Sequence, residues 1–121
     1  MAFARVADAP DAAGRLRALA HVSADIVRAD LNFWRLSYGV RFQHAVVAGL
    51  GERVAAQAAA LRATWELLLT ELGVPDPPVE AALMFAAFDG VFQHYVLDPA
   101  GYPLDAVLTA LIRRYLPPEA R

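Results

Sequence analysis

Three histidines, one carboxylate inside an apolar helix and a scatter of hydroxyls are all that this chain offers for chemistry. None of His21, His44 and His94 has a second histidine three or four residues on, the spacing that sets two imidazoles on one helix face for a metal. They read as structural or surface histidines. Cysteine is absent, so there is no thiolate ligand, no cysteine nucleophile and no disulfide. Ser23, Ser37, Thr64 and Thr70 lie outside any nucleophile-elbow pattern. Gly49-Leu50-Gly51 lacks a preceding strand and a third glycine, so it is no phosphate loop. No metal, no cofactor and no catalytic constellation is expected.

Asp89 is the residue of interest. It stands among Phe85, Phe88 and Phe92 in the stretch Ala81–Tyr95, which Leu97-Asp98-Pro99 closes. A carboxylate there can be an acid of raised pKa or an anchor for a ligand's polar group. It can equally hold a neighbouring helix or pair with an arginine across an interface. A catalytic pair with His94 is disfavoured: five residues along a helix is about 140° around it.

The segments that must position these residues read as helices throughout. Asp11 is a plausible N-cap, and Leu16, Leu19, Ala20, Ile26 and Val27 give a stripe to about Arg28. Asp30 can cap a second, shorter helix with Leu31, Phe33, Trp34 and Leu36, which Gly39 weakens. Arg41–Leu50 reads as helical, with a break near Gly49-Leu50-Gly51. Glu52–Leu72 is amphipathic, placing Val54, Ala58, Leu61, Trp65, Leu68, Leu69 and Leu72 on one face. Gly73 is suited to a left-handed cap. Asp76 caps the next helix, with Pro77 in its first turn. Pro103 opens the last helix, whose stripe is Leu104, Val107, Leu108, Leu111 and Tyr115. No segment alternates with period two, so the expectation is an all-α bundle of five or six helices. Residues 1–10 read as a linker or leader, 11–116 as the folded domain and 117–121 as a tail.

Helix Ala81–Tyr95 is apolar around most of its circumference, unlike a surface helix with one apolar stripe. Such a helix must be covered on several sides, by its own core and by a second subunit. On one broad face stand Met84, Phe88, Phe92 and Tyr95. With Trp34, Tyr38 and Phe42 on or near the second helix and Trp65 and Leu69 of the long one, they either pack a core or line a cavity for an apolar or aromatic small molecule. The opposite face carries Ala87, Gly90 and His94, small enough to admit another helix closely. With the Leu104, Leu108, Leu111 and Tyr115 stripe, this face is expected to form a homodimer interface, an intersubunit four-helix bundle.

Composition agrees with that picture. The chain has 121 residues, enough for one domain, of which 58% are hydrophobic and 20% charged. The longest stretch without an acidic or basic charge, Phe42–Gly51, is far short of the roughly 18–20 apolar residues of a membrane span. The start has no basic region followed by a long apolar run, so no signal peptide is read and a cytoplasmic location is expected. Net charge is −2, every basic residue is arginine, and only Arg113 and Arg114 are adjacent. No basic stripe of the kind that binds DNA is present.

The order of these elements resembles a known family. A long amphipathic helix leads through a Pro/Asp turn into A-A-L-M-F-A-A-F-D-G-V-F-Q-H-Y-V-L-D-P, then G-Y-P-L and a last helix ending L-I-R-R-Y, with F-W-R-L upstream. This is similar to the C-terminal effector-binding and dimerisation domain of TetR-family transcriptional repressors, over about Asp11–Tyr115. The resemblance implies an effector in the helical pocket and a dimer through the last two helices. It further implies a cytoplasmic repressor whose DNA contact comes through an N-terminal helix-turn-helix, which this sequence lacks. The unpatterned start suggests a fragment of a longer protein. A dimerisation module without ligand, or a small helical enzyme or carrier using Asp89, is the alternative.

Overall fold

The computed structural model describes residues 4–41 and 43–121, without the side chains of 44–51 and 54. Phe42, expected on the cavity wall, lies outside the described residues. The chain is all-helical: α1 (Ala4–Ala7), α2 (Ala12–Ala29), α3 (Leu31–Arg41), α4 (His44–Glu71), α5 (Pro77–Leu97) and α6 (Leu104–Arg113), then a single 3₁₀ turn at Pro118–Ala120. Among the described residues there is no strand.

Local chemistry fixes most of the boundaries. Asp11 accepts the Gly14 N–H at 2.7 Å and so supplies one of the four amide partners that a helix start lacks. Asp30 does the same for α3 through the Phe33 N–H at 3.0 Å. Gly73 has φ +73° and follows the end of α4. The Gly73 N–H reaches Thr70 O and the Val74 N–H reaches Leu69 O, the paired closure of a Schellman turn. Two expectations need correction. Asp76 precedes α5 but makes no side-chain cap; it is left-handed (φ 51°), and Pro77 and Pro78 behind it have no N–H to offer. The break near Gly49-Leu50-Gly51 is also absent, because α4 runs unbroken from His44 to Glu71. A helical glycine costs only about 1 kcal/mol against alanine, and Ala45, Ala48, Leu50, Glu52, Arg53, Ala55 and Ala56 around the two glycines are good helix formers. Instead α3 ends at Arg41 and α4 begins at His44.

Helix α2 is the centre of the bundle, touching every other α-helix, while α4 and α5 form the most extensive pair. Leu16, Ala20, Ala24 and Val27 of α2 are buried against Trp65, Leu68 and Leu69 of α4, Met84, Phe88 and Phe92 of α5, and Leu104, Leu108 and Ile112 of α6. Polar contacts lace the outside: Arg28 of α2 to Asp105 of α6 at 2.8 Å, Arg15 of α2 to Glu71 of α4, and Arg35 of α3 to the Val96 carbonyl at 3.0 Å. The ends expected outside the folded domain also touch it. Val6 of α1 and Ala120 of the 3₁₀ turn pack against the core, and the Arg17 guanidinium donates to Ala120 O.

Candidate functional site: a cavity walled by aromatics

Between α2, α3, α4 and α5 lies a cavity of about 340 Å³. Helical periodicity explains its wall. Trp34, Tyr38 and Arg41 stand at i, i+4 and i+7 on α3, and Phe85, Phe88, Asp89 and Phe92 at i, i+3, i+4 and i+7 on α5. Leu61 and Trp65 of α4 and Leu19, Ser23, Ile26 and Val27 of α2 complete it. The rings form two contact groups: Trp34 lies 5.8 Å from Tyr38, while Phe88 lies 4.7 Å from Trp65 and 6.0 Å from Phe92, all tilted and within the centroid distances of aromatic pairs.

One ion pair interrupts this apolar wall. Arg41 Nη1 donates to Asp89 Oδ1 at 2.6 Å, and Gln93 Nε2 donates to Asp89 Oδ2 at 3.4 Å. The Arg41 guanidinium also sits 4.8 Å over the Tyr38 ring. Burial of the Tyr38 phenol pushes its pKa up to about 12; the nearby Asp89 carboxylate adds to the rise and Arg41 opposes it. Ser23 spends its hydroxyl on Leu19 O, at 2.7 Å. Trp65 Nε1 is buried and has no hydrogen-bond partner among the described residues, a state that typically costs about 1–3 kcal/mol.

The structure thus brings together Trp34, Tyr38, Trp65, Phe88, Asp89 and Phe92, six of the residues expected at a ligand site. Leu69, Met84 and Tyr95 do not join them. They are buried in the core away from the cavity wall. The sequence reading missed the whole α2 wall, Leu61, Phe85 and the pairing of Arg41 with Asp89. The α2 stripe marks an inward face, but helical period alone does not say which of its residues border space. Among the described residues no three His, Cys, Asp or Glu side chains gather as a group that could hold a metal ion. His21 and Asp25, and His94 and Asp98, do stand four apart in helical register. Asp25 pairs with Arg5 at 3.3 Å, however, Asp98 accepts the Gly101 N–H at 3.0 Å, and His94 stacks on Tyr102.

Of the residues expected to face a second subunit, Leu104, Leu108 and Leu111 turn into the chain's own core, and Tyr115 is half-buried. An α6 stripe that faces inward cannot also present itself to a partner. Ala87 and Gly90 are half-buried and His94 is exposed. A Cβ built on Gly90 meets nothing within 4 Å, so among the described residues no neighbouring helix approaches it. The same flank of α5 exposes Val79 (53%), Leu83 (56%) and Leu97 (79%).

An all-helical domain with an aromatic-walled cavity and an apolar outer helix face is the class that fold and site define. A family model described as the tetracyclin repressor-like C-terminal domain matches residues 8–118. The chain belongs to that family, whose domains are parts of regulators. No curated protein and no solved structure matches it. Among the described residues, no helix is long and apolar enough to cross a membrane.

Proposed function

We propose that this chain is the sensing and homodimerising part of a TetR-like repressor, and that the cavity between α2 and α5 holds its effector. The observation that carries the reading is the wall itself: a space of about 340 Å³, within the range of small-molecule sites, lined by six aromatic residues of α3, α4 and α5. Among the described residues its only charges, Arg41 and Asp89, neutralise each other. The effector is therefore apolar or aromatic and carries no net charge. An acceptor atom on it would satisfy Trp65 Nε1.

The second subunit covers the outer flank of α5, where Val79, Leu83, Ala86, Gly90 and Leu97 recur at helical spacing. This replaces the inward stripe of α6 as the apolar part of the interface. An effector acts by binding two orientations of the paired subunits unequally, which biases DNA-binding segments carried elsewhere in the repressor.

Native mass spectrometry of the purified chain tests both halves together. The expected result is a dimer carrying a small apolar adduct, or taking up one added neutral aromatic per subunit. A monomer at micromolar concentration overturns the interface. A dimer that takes up no aromatic compound leaves a dimerisation module in place of the sensor.

A further inference from the structure

The described residues enclose a second concavity, of about 430 Å³, between α2, α6 and the C-terminal turn. It shares no lining residue with the aromatic cavity. Its floor is apolar, with Leu108 and Ile112 of α6 at the centre, and its rim carries Arg17, His21, Arg113 and Arg121. No aspartate or glutamate lines it. The chain's other partnered arginines differ: Arg5, Arg15, Arg28 and Arg41 each meet a carboxylate, Arg28 by bridging α2 to Asp105 of α6. Around the second groove none of the arginines does. Arg17 gives one N–H to Ala120 O and Arg121 gives its Nε–H to Leu116 O. A guanidinium has five donors, so most of theirs stay free. Arg113 has no hydrogen-bond or ion-pair partner among the described residues, beside the Thr109 hydroxyl one turn earlier on the same wall.

We propose that this groove is a second ligand site, specific for a small amphiphilic anion: an acyl or aryl carboxylate whose apolar body lies on Leu108 and Ile112 and whose head meets Arg113 and Arg17. Guanidinium forks match carboxylate geometry, and charge-assisted bonds are the stronger kind. The two sites select opposite ligands. The aromatic cavity has its charges already paired and admits a neutral molecule, whereas this groove has cations without counter-charges. They also share one element. Leu19, Ser23 and Val27 of α2 face the first site, and Arg17, Ala20 and His21 of the same helix face the second. An anion that draws α2 toward α6 moves a wall of the effector cavity.

The inference is independent of whether the aromatic cavity binds anything, and calorimetry on the full 121-residue chain separates the two. The probes are octanoate, octanol and inorganic phosphate, with wild type, Arg113→Gln and Ser23→Phe, the last of which fills the aromatic cavity. Octanoate should bind wild type and Ser23→Phe alike, weaken about tenfold or more in Arg113→Gln, and weaken as salt is added. Octanol should be insensitive to Arg113, and phosphate, lacking a body, should bind more weakly than octanoate. Unchanged octanoate affinity in Arg113→Gln overturns the site, as does octanoate binding abolished by Ser23→Phe. A thermal melt of each variant confirms folding, and Arg17→Gln provides a second reading of the same rim.

Discussion

The Arg41 guanidinium at the end of α3 donates to the Asp89 carboxylate in the middle of α5 at 2.6 Å, and both residues stand in the wall of the aromatic cavity. This one contact decides between the roles open to Asp89: within the chain it is a cross-helix tie and not a lone acid. With 38% of the Arg41 side chain and 28% of Asp89 exposed, the tie contributes little to stability, at most about 1 kcal/mol. Asp89→Asn should leave the thermal midpoint nearly unchanged. Its visible effect lies on Tyr38. Loss of the carboxylate lowers the Tyr38 pKa, and Arg41→Gln raises it, because the two charges act on the phenol in opposite senses. Tyrosinate absorbance followed through alkaline titration reads both. A shift of the same sign in the two variants contradicts the geometry.

The raised Tyr38 pKa also sets a pH dependence. The unfolded phenol ionises near 10 and the folded one near 12. The folded state therefore holds its proton longer. The stability this adds is fully present below pH 10 and is lost as pH rises toward 12. Tyr38→Phe removes that loss, so denaturant midpoints of wild type and variant should converge or cross between pH 10 and 12. Parallel curves over that range count against a buried Tyr38.

Phe88 packs on Trp65 and Phe92 and is 5% exposed. Phe88→Ala should destabilise by about 3 kcal/mol, the low end for such a truncation because one side already borders a cavity. The dimer should persist, and the enlarged cavity should accept bulkier aromatics. Thermal melts together with ligand titration check this. An unfolded variant would place Phe88 in the indispensable core.

Two substitutions separate core from interface. Leu111 is 9% exposed, so Leu111→Asp should unfold the chain by placing a carboxylate in its core. Leu83 is 56% exposed on the outer flank of α5, so Leu83→Glu should leave a folded chain that sediments as a monomer. A folded, dimeric Leu83→Glu moves the partner to another face.

Much of this architecture is legible in the sequence because its signals are local. Asp11, Asp30, Gly73 and Asp98 act on backbone groups within five residues, and the stripes on α2, α4 and α6 follow helical period alone. The cavity was half legible. Periodicity says that Trp34, Tyr38, Trp65, Phe88 and Phe92 face inward, but not which inward residues border space and which fill it. Met84 and Leu69 differ from Phe88 only in what their neighbours across the bundle leave open. The Arg41–Asp89 tie spans 48 residues and has no sequence signature. The α6 stripe misled for a related reason: an amphipathic helix turns its apolar side to whatever is apolar, and here that is the chain's own α2 and α5. On α5 the outward Val79, Leu83 and Leu97 stand opposite the inward Met84, Phe88 and Phe92, and α3 and α4 expose further apolar residues in Phe33, Leu36, Leu61 and Leu67.

Tryptophan fluorescence tests the central claim most directly. The chain has two tryptophans, Trp34 and Trp65, and both stand in the cavity wall. Titration with 4-phenylphenol, a neutral aromatic with one hydroxyl, should change their emission saturably in wild type and fail to do so in folded Ser23→Phe, where the cavity is filled. An emission change that is linear in ligand, or identical in the filled variant, would contradict an effector site between α2 and α5.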